Sequence, residues 1–224
     1  ARSGAGGEAE ASPGRKGRQR GRRSQRQLKR LLRRLEALPP QTRFEEEFQA
    51  RKSLLEALDY VRGNELTARG LLAAQLNVQE LLLTELYFDG FFHEWDVDQI
   101  NAVAVAVDYE PRRHEGRPKH NVFDVGRVRA LVQFLQDMES SFGPPTVRFN
   151  DHLSLAAYRW SRGASFSELL QGAYLDEGDI VYAFRRGIDV LRQLRNAVRG
   201  DESLVAKLQH CIERMDRDEV SIVL

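Results

Sequence analysis

Residues 176–198 read DEGDIVYAFRRGIDVLRQLRNAV. At about 100° per residue, Ile180, Phe184, Ile188, Leu191, Leu194 and Val198 share one face. An apolar stripe of that kind has to be buried against other elements. The stretch therefore predicts one long amphipathic helix from Asp176 to Val198. Tyr182, Arg186, Asp189 and Gln193 recur at i, i+4, i+7 and i+11 on a second stripe, expected well away from the core. A planar ring and a guanidinium four residues apart suit stacking on bases and pairing with phosphate. The alternative at this point is an exposed face with an incidental tyrosine and arginine.

The neighbouring sequence is also helical in pattern. Downstream, Asp201 starts a helix expected to reach about Met215. Upstream, Ser165 caps a short helix, and helices are expected over about 151–162 and 124–141. Trp160 in the W-x-x-G turn reads as packing, and Gly163 and Gly178 as residues for turns or close approach. Pro111 to His120 is a polar, basic loop. Asp96 caps a helix with Ile100, Val103 and Val107 on one face, although Ala102–Val107 is ambiguous between helix and strand. Asn77 opens a helix with Val78, Leu81, Leu82, Leu86 and Phe88 buried and Gly90 at its end. Thr67 caps a short helix through Leu76, behind a Gly63-Asn64 turn. Phe44 to Val61 forms another, with Phe44, Phe48, Leu55 and Leu58 near one face. Leu28, Leu31, Leu32 and Leu35 follow helical spacing until Pro39-Pro40 stops them.

Composition limits the function. With 42% hydrophobic and 30% charged residues, the 224-residue chain has a soluble globular profile. No apolar run approaches the roughly 18 residues that span a bilayer, and no signal-peptide pattern is present. The single cysteine, Cys211, excludes an internal disulfide and fits a reducing compartment. The chain begins at Ala1, so it is expected to be part of a longer protein. Its net charge of +1 hides an asymmetry: residues 1–40 hold 12 Lys/Arg against three acids, and residues 41–224 hold 22 against 30. Residues 1–23 carry no apolar period and are expected to be disordered. Their basic residues, Arg18, Arg20, Arg22 and Arg23 among them, read as a tail for nucleic-acid phosphates or as a solvated linker.

Catalytic signatures are missing. The sequence contains no G-x-x-x-x-G-K-[ST] to cradle a phosphate. Gly163-Ala164-Ser165-Phe166-Ser167 lacks the second glycine of a nucleophile elbow. Asp218-Glu219-Val220-Ser221 resembles a magnesium-binding box only superficially. His93, His114, His120, His152 and His210 show no paired metal spacing; each is expected at the surface or satisfied in the core. Glu45-Glu46-Glu47 reads as a solvated helix face.

Two ordered sets of blocks resemble one family. The first contains Leu66-Thr67-Ala68-Arg69-Gly70, Glu80-Leu81-Leu82-Leu83-Thr84-Glu85-Leu86, Gly90-Phe91-Phe92 and Asp96 through Gln99-Ile100. The second contains Tyr158-Arg159-Trp160-Ser161-Arg162-Gly163-Ala164-Ser165-Phe166, Glu177-Gly178-Asp179-Ile180, Phe184-Arg185-Arg186 and Leu191-Arg192-Gln193-Leu194, closing with Asp216 to Leu224. In order and spacing they resemble the C-terminal helical domain, called DSHCT, of the superkiller-type DExH-box ATP-dependent RNA helicases. The Leu-Thr-x-x-Gly element is similar to the end of the preceding winged helix.

The resemblance implies a parent chain with two motor domains that use ATP and magnesium, a winged helix, sometimes an arch-like insertion, and this bundle. It implies a bundle over the RNA exit path whose ratchet helix touches the single strand as the motor moves 3′ to 5′. The family's ratchet arginine aligns on Arg186. A basic residue often stands in the family where Tyr182 stands here, which favours stacking over phosphate contact at 182. Eukaryotic members thread RNA into an RNA-degradation complex, and bacterial relatives share the domain.

The expected architecture is all-α: a ratchet-type helical bundle behind a partial winged helix and a disordered basic arm. The expected divisions are the arm over 1–23, a linker helix with the partial winged helix over 24–75, and the bundle over 76–224. The candidate nucleic-acid-binding residues are Tyr182, Arg186 and Gln193, with Arg18, Arg20, Arg22 and Arg23 in the arm. The expected role is to guide single-stranded RNA, beside the motor domains, in the cytoplasm and without a membrane. No catalytic residue, metal or cofactor is expected in the chain itself. A free-standing adaptor without motors and a purely structural brace are the rival readings.

Overall fold

The computed structural model describes residue 29 and residues 41–111, 122–171 and 176–221. The chain divides into two units, residues 1–48 and 49–224. In the first, Lys29 and residues 41–48 are helical, and Phe44 to Phe48 are exposed. The leucines at 28, 31, 32 and 35 and the whole basic arm lie outside the described residues.

The remainder is described for the second unit, entered partway along α1 (Gln41–Ala57). The buried residue of α1 there is Leu54, with Leu55 partly covered, so the expected face through Phe44 and Phe48 is not the packed one. The helix ends at Ala57, short of Val61. Asp59 takes a left-handed φ of 60° and turns the chain into the hairpin β1 (Val61–Arg62) and β2 (Glu65–Leu66).

Thr67 then caps α2 (Ala68–Ala73) by accepting from the Gly70 N–H, while its hydroxyl donates to the Asp59 carbonyl at 2.6 Å. A Cβ on Gly70 would stand 2.2 Å from the Tyr60 carbonyl oxygen. The Leu-Thr-x-x-Gly block is thus a cap followed by a close approach. This hairpin and short helix form the partial winged helix ahead of the bundle.

The bundle opens with α3 (Glu80–Phe88) and α4 (Phe91–Glu94). Asn77 does not open α3, as the sequence suggested. Gln79 is the N-cap residue, at φ 45°, and its side chain is used elsewhere. Leu81 through Leu86 are all buried, whereas Phe88 remains partly exposed. Glu85, inside that run, accepts from the buried Tyr60 hydroxyl at 2.7 Å and from Arg69 Nε at 3.1 Å. The Arg69 guanidinium also lies over the Phe88 ring.

A capping box between Asp96 and Gln99 starts α5 (Val97–Ala106), whose residues from Ile100 to Ala106 are all buried. The ambiguous stretch is therefore helix. Its alternation reads equally well as a strand because a helix covered on every side shows no polar face. After α5 come α6 (Val125–Ser140), α7 (Ser154–Ser161), α8 (Phe166–Leu170), α9 (Glu177–Ala197) and α10 (Glu202–Met215), with short 3-10 turns at Asp151–Leu153 and Asp218–Val220. Helices α7, α9 and α10 pack directly on α5. Asp124, Ser165, Asp176 and Asp201 accept backbone N–H groups at the starts of α6, α8, α9 and α10.

Two arginines fasten the last turn. Trp160 is buried and donates Nε1 to the Met215 carbonyl. The Arg217 guanidinium lies 3.5 Å from the Trp160 ring centroid and donates to the Trp160 and Ala164 carbonyls. Arg185 donates Nε to the Val220 carbonyl at 2.9 Å. Gly163, at φ 97°, closes the turn after Trp160. Gly178 meets neither expectation: it sits in the first turn of α9, and an added Cβ would make only ordinary contact with Asp176.

Candidate nucleic-acid interface

Helix α9 presents the candidate residues, and its buried arc is wider than the apolar stripe alone. The expected core face is buried throughout. Ala183, Gly187 and Val190 extend it toward α5. A Cβ on Gly187 would fall 2.8 Å from Val105 Cγ2 and 3.4 Å from the Val105 nitrogen. The glycine lets the two backbones come together.

That extension splits the polar stripe. Tyr182, 68% exposed, and Asp189 point outward. Arg186, beside the α5 contact, and Gln193, further along the helix, are half-buried and engaged with the protein. Arg186 donates Nε to Asp108 Oδ2 at 2.6 Å, and the Gln193 carbonyl oxygen accepts the Asn77 N–H at 2.8 Å. The expectation that the whole stripe lies away from the core is corrected for these two. For Arg186 the physical reason is that Gly187 lets α5, and the chain leaving it, come close to the polar side of α9; for Gln193 it is the Asn77 N–H ahead of α3.

Arg186 faces a groove of about 390 Å³, lined also by Asp108, Tyr109, Glu110, Arg148, Asp179 and Tyr182. A second groove of about 450 Å³ shares Asp108 and Arg148 and adds Arg51, Asn77, Gln79 and Thr146. The segment between them is firmly held. The buried Glu139 carboxylate accepts the Thr146 and Val147 N–H groups at 2.8 and 2.9 Å. Gln79 Oε1 accepts the Arg148 N–H at 2.8 Å, and the Arg148 side chain pairs with Glu110. The hydrogen bond to Asp108 raises the proton affinity of the Arg186 guanidinium against the opposing effect of partial burial. Arg186 is a permanent cation whose charge is shared with a carboxylate.

Tyr182 and Arg186 thus come together at one groove, four residues apart on one helix. Gln193 stands further along, beside Asn77. Arg18, Arg20, Arg22 and Arg23 lie outside the described residues. Asp108, Gln79 and Arg148 carry no sequence signal for this site, because their partners are remote in the chain: Arg186 and Asp108 are 78 residues apart, and Gln79 and Arg148 are 69 apart.

Among the described residues, no group of three or more His, Cys, Asp or Glu is placed to hold a metal ion, and no helix is long and apolar enough to cross a membrane. His93 Nε2 donates to Asp201 Oδ2 at 2.6 Å. His152 departs from expectation, since its buried Nδ1 has no hydrogen-bond partner among the described residues. Cys211 is buried, and burial pushes its thiol pKa up to about 12.

The profile of the DSHCT (NUC185) domain matches residues 63–222. The chain is 29% identical over 189 residues to the DExH-box ATP-dependent RNA helicase DExH9 of Arabidopsis thaliana, covering 79% of this chain and 19% of that protein. It is 30% identical over 185 residues to Superkiller complex protein 2 of Homo sapiens, covering 78% and 15%. To the Exosome RNA helicase MTR4 of Homo sapiens it is 25% identical over 187 residues, covering 78% and 18%. The chain therefore spans less than a fifth of the length of these curated relatives.

Proposed function

Because the chain belongs to the DSHCT (NUC185) domain family, we propose that it is the non-catalytic C-terminal domain of an ATP-dependent 3′–5′ RNA helicase and guides single-stranded RNA at the exit of the motor. The observation that carries the reading is the exposed Tyr182 ring beside the Arg186 guanidinium at one groove. Base–aromatic stacking is tolerant of sequence, because every base has a π-face. A guanidinium adds charge-assisted contact to phosphate. Together they would hold a moving strand without reading it.

ATP and magnesium belong, on this reading, to the parent motor. This chain has no phosphate-cradling sequence, so its residues do not fit those groups. Two relatives are named as an exosome RNA helicase and a superkiller complex protein, which supports an RNA-degradation complex as the setting; the motor domains of the parent chain as neighbours and the cytoplasm as the site of action belong to the same proposal. Arg18, Arg20, Arg22 and Arg23 would add phosphate contacts from the arm.

A brace that stiffens the motor without touching RNA is the second reading. It is favoured by the internal partners of Arg186 and Gln193. In the intact helicase, Tyr182→Ala separates the two. Loss of one stacking contact, worth roughly 1–3 kcal/mol, should slow unwinding more than ATP turnover. A photo-crosslinker at position 182 should also label RNA. Normal unwinding together with no crosslink would leave the brace.

A further inference from the structure

The Arg186 guanidinium is already occupied when a strand arrives. Its Nε lies 2.6 Å from Asp108 Oδ2, and the Asp108 side chain is only 15% exposed. The chain around that carboxylate is fixed on both sides. The Asn150 N–H donates to the Ala106 carbonyl at 2.9 Å, and Asn150 Nδ2 donates to the Tyr109 carbonyl at 2.8 Å. On the facing helix, Gly187 holds α9 against Val105, so the spacing between the two partners is set by backbone contact. Asp108 therefore cannot follow Arg186 away from the groove wall.

We infer that Asp108 is a positioning residue that competes with RNA phosphate for Arg186 and so limits how tightly the helix holds a passing strand. This rests on the reading of α9 as an RNA-contacting helix. The bond to Asp108 uses Nε, and the two terminal nitrogens of Arg186 have no hydrogen bond among the described residues. A phosphate can approach those nitrogens across the groove beside Tyr182. It meets a cation whose charge is partly neutralised and whose direction is set. As the strand moves on, the bond from Nε to Asp108 keeps the guanidinium in the same place for the next phosphate. A guide on a translocating motor needs that release as much as the grip, as conduction through a selective pore needs sites weak enough to leave.

The test is binding of a fluorescein-labelled uridine homopolymer to the 224-residue chain, read by anisotropy across a salt series. Asp108→Asn keeps the shape and removes the charge. It should tighten binding about three- to tenfold and steepen the dependence of log K on log salt by up to about 0.7, the value of one further phosphate on a single strand. Arg186→Ala should weaken binding, and Asp108→Asn should have no effect in the Arg186→Ala background. Glu110→Gln in an Arg148→Ala background, which removes a carboxylate from the same groove without releasing the cation it pairs with, should not reproduce the gain. Thermal melting checks the fold of each variant, with Asp108→Ser as a second route should Asp108→Asn not fold. If Arg186→Ala weakens binding but loss of the Asp108 charge leaves it unchanged or weaker, the competition is refuted while the guide stands. A gain that persists without Arg186, or that Glu110→Gln matches, refutes it as general electrostatics. If neither Tyr182→Ala nor Arg186→Ala changes binding, the guide reading fails and the role of Asp108 with it.

Discussion

Gly187→Ala should change sign with its neighbour. In a helix interior alanine is better than glycine by about 1 kcal/mol, so an ordinary surface glycine would be improved by the change. Here the new methyl would lie 2.8 Å from Val105 Cγ2, closer than side-chain carbons approach, and 3.4 Å from the Val105 nitrogen. Over-packing of a tight core contact costs about 1–3 kcal/mol. The net expectation is a loss of about 1 kcal/mol, or roughly 2–4 °C in Tm for a domain of this size. Val105→Ala removes the clashing methyl and by itself costs about 2 kcal/mol, through lost burial and the cavity left behind. In that background Gly187→Ala has room, and it should stabilise by up to about 1 kcal/mol. The assay is thermal and urea unfolding of the four proteins, followed by circular dichroism. If Gly187→Ala raises Tm equally with Val105 or alanine at position 105, the close approach of α9 to α5 is not real.

Phe184→Ala empties a fully buried site against Trp160 and should cost about 3–5 kcal/mol, whereas Arg186→Ala loses a half-exposed ion pair and should cost about 1 kcal/mol or less; equal melting of the two would mean that Arg186 supports the core. Cys211, buried with its thiol pKa pushed up to about 12, should resist alkylation by iodoacetamide near pH 8 in the native state and react only on unfolding, because the thiolate is the nucleophile. Asp201 is held below its ordinary value of 3.8, first by the Leu204 N–H and then by His93. A depressed carboxylate contributes stability above its unfolded pKa and loses it as pH falls through the folded one. Unfolding should therefore become easier below about pH 4, and Asp201→Asn, which keeps an N-cap, should flatten that part of the pH–stability curve.

Helix starts were legible because their chemistry is local. Thr67, Asp96, Asp124, Ser165, Asp176 and Asp201 each accept a backbone N–H within a few residues, and a sequence shows that spacing directly. Gln79 was not legible, since its left-handed φ and its hold on Arg148 depend on a segment 69 residues away. The hairpin at 61–66 has strands too short to show alternation. The core face of α9 could be read from its leucines and isoleucines, but the extension of that face through Ala183, Gly187 and Val190 could not, because small residues carry little hydrophobic signal. The candidate site shared that fate. Tyr182 stands out from sequence as an exposed ring, whereas the role of Arg186 depends on Asp108, which only the packing of α5 on α9 brings within reach. The Arg185-Arg186 doublet, uniform in sequence, divides its work: the first holds the Val220 carbonyl and the second faces the groove.

Helix α5 has a consequence for how the chain is made. Ala102 to Val107 is six residues without a charge, a proline or a glycine, and in the finished fold every one is buried. Two of the helices that cover it, α9 and α10, begin only at Glu177 and Glu202. At a synthesis rate of about 5–20 residues per second, that segment spends several seconds outside the ribosome before those partners exist. Its alternating small and β-branched side chains are then free to pair as a strand with another nascent chain. Polysomes translating this message would carry several such segments side by side, which makes the interval before α9 emerges the one in which the segment is most open to such pairing.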